Sequence, residues 1–69
     1  MVRIKQERAG LNISQEDLAK KIGVSRATIQ NWESGKSEMV SSQVSALSDI
    51  FGCTSDWLIG RTNERNKST

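Results

Sequence analysis

Two short helix signals with only a tight turn between them constrain the fold of this chain more than any other feature. Ser14 and Ser25 are suited to cap helix N-termini, because a serine oxygen accepts a backbone N–H of the first turn. Gly23 and Gly35 each lie just past a helical pattern, where glycine supplies a left-handed C-cap. The sequence therefore predicts one helix from residue 15 and another directly after Ser25, so close along the chain that they must cross steeply.

Each helix of this pair has one apolar side. Leu18, Ala19 and Ile22 recur at helical spacing in the first, and Ile29 and Trp32 do so in the second. An apolar stripe packs against a core, so the opposite side faces water. The outward side of the second helix is rich in hydrogen-bonding groups and consists of Arg26, Ala27, Gln30 and Asn31.

A further helix is predicted ahead of the pair, over about residues 2–11. Ile4, Arg8 and Leu11 share its inner side, so an arginine lies on the face that meets the core. A buried arginine is costly unless a carboxylate meets it, and the sequence therefore requires a buried acidic partner. Asn12 tolerates the left-handed conformation and is the expected end of this helix, in preference to the earlier glycine.

Two more helices are predicted after the pair. Ser41 or Ser42 is placed to cap a helix that runs to Phe51 and stops at the following glycine. Ser55 is expected to cap a last short turn over residues 56–59. No stretch alternates polar and apolar residues as a strand does. The predicted fold class is all-α, a compact bundle of five short helices.

The chain is long enough for a single small domain. A domain of 69 residues buries only about 60% of the surface that its unfolded chain exposes, so its stability is marginal. The segment RTNERNKST, residues 61–69, has no apolar residue and cannot form a core of its own. The expected organisation is a domain over residues 1–60 followed by a disordered polar tail or linker.

Composition argues against several classes of protein. The chain has no histidine, no paired cysteines and no glycine-rich phosphate loop, so neither an enzyme nor a metal or cofactor site is expected. Cys53 alone cannot form an internal disulfide, and a cytoplasmic setting is the natural expectation. No apolar run reaches the length of a membrane span, so no membrane partner is expected.

Charge is unevenly distributed along the chain. Residues 1–36 carry seven basic and four acidic side chains, a net charge of +3, whereas residues 37–60 carry three acidic side chains and no basic one. The last nine residues add a net charge of +2. One face of the domain should therefore be more positive than the other, which favours a polyanionic partner.

Several residues of the helix pair stand in an ordered pattern: Leu18-Ala19, Gly23, Val24, Ile29, Trp32 and Glu33-x-Gly35-Lys36. In this pattern the chain resembles the helix-turn-helix family typified by the phage Cro and CI repressors, often called the XRE family. The similarity extends over residues 3–60, from RIKQER to FGCTSDWLIG. It implies a lambda-repressor-like bundle with the helix-turn-helix at helices 2 and 3, and a transcriptional regulator of a bacterium or phage.

The resemblance also implies a partner, double-stranded operator DNA. The family places the second helix of the motif in the major groove, with its N-terminal residues at the base edges. The matching base-reading positions are Arg26, Ala27, Thr28, Gln30 and Asn31. The matching contacts to the DNA backbone are Gln15, Ser25, Ser34 and Lys36. Their chemistry is suitable, because arginine can pair with guanine, glutamine or asparagine with adenine, and small methyl groups with thymine.

Two structural roles follow from the same resemblance. Arg8 and Glu33 match a family ion pair between the first helix and the end of the recognition helix, which would supply the partner that Arg8 requires. The family usually binds as a homodimer, and here the dimer contact is expected at the last helix and the loop before it, near Trp57, Leu58 and Ile59. The alternative is a monomer that pairs only on DNA.

Two alternatives stay open on the sequence alone. The polar outer face of the second helix is also what an ordinary solvated helix presents. Some relatives act mainly through a partner protein, as antitoxins or anti-repressors do, so a protein-interaction module is the alternative to a sequence-specific repressor. Binding to duplex DNA separates the two.

Overall fold

The computed structural model describes residues 2–65, and within them the chain forms five α-helices and no strand. They are α1 Ile4–Leu11, α2 Gln15–Ile22, α3 Arg26–Ser34, α4 Ser41–Phe51 and α5 Ser55–Leu58. The predicted bundle of five short helices is confirmed. None of the helices in this part of the chain is both long and apolar enough to cross a membrane.

The caps of α2 and α3 fix the tight turn between them. Ser14 and Ser25 Oγ each accept the backbone N–H three residues further on, at 3.0 and 3.2 Å. Gly23 and Gly35 end the two helices with φ of +77° and +81°, the left-handed conformation that disfavours a side chain. Both predicted helices therefore have the expected bounds.

Helix α1 is shorter than the sequence predicts. It begins at Ile4 rather than near residue 2, because the N–H of Arg3 is held outside the helix by the carbonyl of Leu58 at 2.8 Å. It ends as predicted, with Asn12 left-handed at φ +57°. Leu11, expected on the inner side, is instead 48% exposed, since the core ends before this last residue of α1.

The N-cap of α4 lies one or two residues earlier than predicted, and the N-cap of α5 lies one residue earlier. Val40, not Ser41 or Ser42, precedes α4, and its N–H donates to Gln43 Oε1 at 2.9 Å. This bond is one half of a capping box, in which a glutamine of the first turn accepts the N–H of the cap residue. Thr54 rather than a serine caps α5 by accepting the N–H of a residue in its first turn at 3.2 Å.

All five helices contribute to one hydrophobic core. Ile29 and Trp32 attach α3 to it and are 0% and 3% exposed. The remaining core residues are Ile4, Leu18, Ala19, Val44, Leu47, Phe51 and Leu58. Cys53 packs at the edge of this core, where burial raises the pKa of its thiol. Cys53 is therefore a half-buried side chain against the core rather than a member of it.

The chain stays attached to the domain beyond the predicted boundary at residue 60. Arg65 donates to Glu7 Oε1 at 2.8 Å and to the carbonyl of Phe51 at 2.6 Å, and its own carbonyl accepts the N–H of Thr54. The prediction of a free tail from residue 61 is therefore wrong up to Arg65. The polar composition of this segment does not indicate the contact, because it arises from the need of the buried Glu7 carboxylate for a cation. Residues 66–69 of that predicted tail lie outside the described residues.

Candidate nucleic-acid interface

The outward face of α3 is a continuous, mostly polar surface. Arg26, Ala27, Gln30 and Asn31 are exposed, as predicted, while Ile29 and Trp32 hold the opposite side of the helix in the core. A helix fixed on one side in this way presents its outer side chains on a rigid support. The fifth predicted base-reading residue, Thr28, is half-buried, and its hydroxyl lies 2.9 Å from that of Ser25.

The predicted backbone-contacting residues lie at the helix ends. Gln15 is the first residue of α2, where the free N–H groups and the helix dipole favour an anion. Ser34 and Lys36 lie at the other end of α3, and both are exposed. Ser25 is already engaged, because its oxygen caps α3, so any contact it makes with a partner would compete with that cap.

Beneath this surface, Arg8 and Glu33 form an ion pair that joins α1 to the end of α3. Arg8 Nε donates to Glu33 Oε2 at 2.9 Å, and the two side chains are only 17% and 8% exposed. A second guanidinium nitrogen of Arg8 donates to the carbonyl of Ile13 at 3.0 Å. Because both charges are largely removed from water, loss of either would leave the other without a partner.

Gln15 extends this pair toward the surface. Its Nε2 donates to Glu33 Oε1 at 3.0 Å, and its Oε1 accepts from Gln30 Nε2 at 3.3 Å. A residue predicted to touch only DNA backbone is therefore also a link between a buried carboxylate and a predicted base-reading residue. The sequence pattern gives no signal for this link, because it depends on the crossing of α2 and α3.

A polar cleft opens where α1, the start of α2 and the start of α3 meet. Lys5 and Arg26, both exposed, approach it from α1 and α3. The residues lining it are Lys5, Arg8, Ser14, Gln15, Glu16, Arg26 and Glu33. Lys5 is absent from the predicted site. Its one sequence signal is that it lies three residues before Arg8, and so on a neighbouring part of the same helix surface.

A second, shallow groove lies among α4, α5 and the loop before α4. It combines apolar and charged side chains, among them Val2, Met39, Val44, Ile59, Glu38, Asp56 and Arg61. Within the described chain this region coincides with the acidic segment of residues 37–60. It is separate from the polar outer face of α3, none of whose predicted base-reading residues line it.

The predicted dimer contacts are only partly available. Leu58 is fully buried in the core and cannot reach a second molecule, so that part of the prediction is wrong. Trp57 lies under Arg3, with 3.7 Å from the guanidinium carbon to the ring centroid, and donates its indole N–H to Glu7 at 2.8 Å. Of the three residues, Ile59 alone lines the open groove.

The carboxylate of Glu7 accepts hydrogen bonds from both Trp57 and Arg65. Hydrogen bonds from Arg65 lower its pKa, and the indole of Trp57 acts in the same direction against the opposing effect of burial. Arg65 in turn has its pKa raised by Glu7. The pair thus ties the end of the described chain to α1.

Comparison with known proteins decides the family. A family model described as "Helix-turn-helix" matches residues 4–58. The chain belongs to the helix-turn-helix family. The resemblance to the Cro and CI type is confirmed by the relatives and by the structure that the chain matches.

Three relatives of this helix-turn-helix domain are regulators. The chain is 39% identical over 57 residues to the HTH-type transcriptional activator BcrR of Enterococcus faecalis, and 33% identical to the HTH-type transcriptional regulator DicA of Escherichia coli K12. It is 37% identical to the repressor protein C2 of Salmonella phage P22. Each alignment covers 83% of this chain but only 28%, 42% and 26% of the respective relative. The helix-turn-helix domain therefore spans less than half the length of each.

A solved structure matches the fold closely. It is the crystal structure of the P22 c2 repressor in complex with a synthetic operator, with a TM-score of 0.80 and 35% sequence identity. The match covers 87% of this chain and 91% of that one. The lambda-repressor-like arrangement, with α2 and α3 as the helix-turn-helix, is confirmed.

Proposed function

We propose that this helix-turn-helix domain is a sequence-specific transcriptional regulator, a repressor that occupies double-stranded operator DNA with α3 in the major groove. The observation that carries the proposal is the polar outer face of α3, which Ile29 and Trp32 fix rigidly on the core beside the N-terminus of α2. Such a face can lie against base edges while the preceding helix crosses the backbone. The family and the operator complex of the P22 c2 repressor support this role.

The proposed reading is divided between two groups of side chains. Base edges would meet exposed donors, acceptors and methyl groups, and the residues in this role are Arg26, Ala27, Thr28, Gln30 and Asn31. Phosphates would meet the amides and cations around this face, and the residues in this role are Gln15, Ser25, Ser34 and Lys36. Lys5 joins the second group, because it lines the same cleft as Gln15 and Arg26.

The proposed form on DNA is a homodimer. Two copies would occupy half-sites about one helical turn apart. With Leu58 buried, the dimer contact would use the half-buried groove residues Met39 and Ile59 rather than the core side of α5. The proposed role is one of binding, not of catalysis, and it needs no cofactor. It places the protein in the cytoplasm, on the nucleoid.

Selection from random duplexes tests the function directly. The purified chain should enrich one short sequence from a random library, arranged as an inverted repeat with half-site centres about 10 base pairs apart. The double variant Arg26→Ala/Gln30→Ala changes only exposed residues, should keep the fold, and should enrich nothing. Enrichment of the same sequence by that variant would contradict the placement of α3.

The groove beside α5 favours one other function, a module that binds a partner protein. Apolar Met39 and Ile59 next to acidic Glu38 and Asp56 form a surface that a protein could cover. The two functions differ in one observation. A folded protein that binds no duplex even at low salt, where phosphate contacts are strongest, would favour the protein-binding role.

A further inference from the structure

Three side chains form a hydrogen-bonded chain from the buried ion pair to the outer face of α3. Glu33 Oε1 accepts from Gln15 Nε2 at 3.0 Å, and Gln15 Oε1 accepts from Gln30 Nε2 at 3.3 Å. At its inner end the chain is anchored, because the other oxygen of Glu33 accepts from Arg8 at 2.9 Å and both charged side chains are mostly buried. At its outer end lies Gln30, which is exposed.

The inner carboxylate determines the direction of every hydrogen bond in this chain. An ionised carboxylate paired with arginine can only accept, so Gln15 must turn its NH2 group inward. Its carbonyl oxygen then points outward, and that oxygen also can only accept. Gln30 must therefore turn its own NH2 group toward Gln15. The Gln30 amide could otherwise turn either its oxygen or its nitrogen toward Gln15. The carboxylate of Glu33, two hydrogen bonds away, determines that the nitrogen faces Gln15.

We propose that Gln15 is a positioning residue for base reading, which fixes the orientation of the Gln30 amide so that it selects adenine. The assigned orientation leaves the Gln30 oxygen free to accept from adenine N6, and the second Nε2 hydrogen free to donate to N7. The reversed amide would set donor against donor and acceptor against acceptor. This inference rests on the proposed function and adds to it a specificity role for a residue otherwise assigned to DNA backbone.

The expected size of the effect is modest. The bond between the two glutamines is neutral and lies near the surface, so it should bias the orientation of Gln30 by about fivefold, the factor typical of one such hydrogen bond. A phosphate contact made by Gln15 acts differently. Its loss lowers affinity for every duplex by the same factor and leaves the order of preference unchanged.

The test compares Gln15→Met with the wild-type chain. Methionine keeps the length of the side chain and removes both hydrogen bonds. Gln30→Ala first identifies the operator position that residue 30 reads. At that position Gln15→Met should reduce, by about fivefold, the preference for adenine over a base that pairs with the reversed amide, while preferences elsewhere stay as in the wild type. Gln6→Met is the matched control, because Gln6 is an exposed glutamine on α1 outside the chain of bonds, and it should leave all preferences unchanged.

A second measurement uses the free protein. The side-chain amide signals of Gln30 in a nitrogen-15 NMR spectrum should move in Gln15→Met and stay in place in Gln6→Met. Retained preference at the Gln30 position in Gln15→Met overturns the proposal, even if total affinity falls. The absence of any position that responds to Gln30→Ala overturns it as well. Both results leave the proposed function standing, whereas a wild-type chain that binds no duplex overturns the proposed function itself.

Discussion

At the residue scale, the domain depends on polar side chains that each serve more than one neighbour. Glu33 accepts from Arg8 and from Gln15, and thereby connects the stability of the bundle to the arrangement of its outer face. The need for a carboxylate near Arg8 could be predicted from its place on the inner side of α1, and the family resemblance supplied Glu33. The part played by Gln15 could not, since side-chain hydrogen bonds across a helix crossing have no fixed spacing in sequence.

Removal of Arg8 tests the buried pair. Arg8→Ala should destabilise the domain by about 3 kcal/mol, because Glu33 would remain buried without its partner. For a domain of this size the loss corresponds to a fall in the melting temperature of more than about 10 °C, measurable by circular dichroism. The double variant Arg8→Met/Glu33→Met, which removes both charges together, should recover much of that loss. A melting temperature for Arg8→Ala equal to that of the wild type would contradict the prediction.

Arg26 and Lys36 should differ in how their loss affects DNA binding. Arg26→Ala should abolish the preference for one base pair, because an arginine reads base edges through two directed hydrogen bonds. The expected loss is about 1 to 3 kcal/mol of discrimination against the other bases at that position. Lys36→Ala should weaken binding to all sequences alike and reduce the slope of log affinity against log salt by about one unit. Titration of operator variants by fluorescence anisotropy at several salt concentrations measures both. An equal loss on all sequences with Arg26→Ala would exclude base reading by this residue.

At the scale of elements, capping chemistry defines where the helices of the motif begin and end. The bounds of α2 and α3 could be predicted from two serines and two glycines, because each acts on its own first or last turn. The start of α4 and both ends of α5 lie earlier than predicted, whereas α4 ends at Phe51 as expected. Val40 occupies a cap position that local preference assigns to serine, and the side chain of Gln43 accepts its backbone N–H. A signal that depends on the cap residue alone fails where the side-chain hydrogen bond comes instead from a residue of the first turn.

Two glycines of the chain should respond to alanine in opposite ways. Gly23→Ala should destabilise by about 1 kcal/mol, because an added Cβ meets no neighbour but is strained at φ +77°. Gly10→Ala should stabilise by about 0.5 to 1 kcal/mol, because Gly10 lies in α1 with open space around it. Urea denaturation gives both values. The prediction fails if the two substitutions shift the midpoint in the same direction.

At the scale of the whole molecule, the structured domain is larger than the sequence suggests. Residues 61–65 read as solvated chain, yet Arg65 reaches Glu7 across 58 positions of sequence. No local sequence pattern indicates that Arg65 contacts α1. The two meet only because α1, α4 and α5 pack against one another in the fold. The fold class and the outer face of α3 could be predicted because they follow from periodic patterns, whereas this contact does not.

The Glu7–Arg65 pair should make the stability of the domain depend on acid. Arg65 lowers the pKa of Glu7, so the stabilisation is present at neutral pH, above the unfolded value of about 4.3, and is lost as pH falls through the folded value. Thermal melts of wild type and Arg65→Ala should therefore differ most at pH 7 and converge toward pH 3. Glu64→Ala, next to it and exposed, is the control. A constant difference at all pH values would exclude this linkage.

The contacts around Glu7 also bring together two segments of the described chain that are far apart in sequence. Arg3 bonds to Leu58, and one turn along α1 Glu7 bonds to Arg65, so the first and last described segments lie side by side. A short linker should suffice to join these two described segments in a circularly permuted chain. The new ends would have to lie outside residues 36 and 37, because their N–H groups bond to the carbonyl of Asn31 and cap the end of α3.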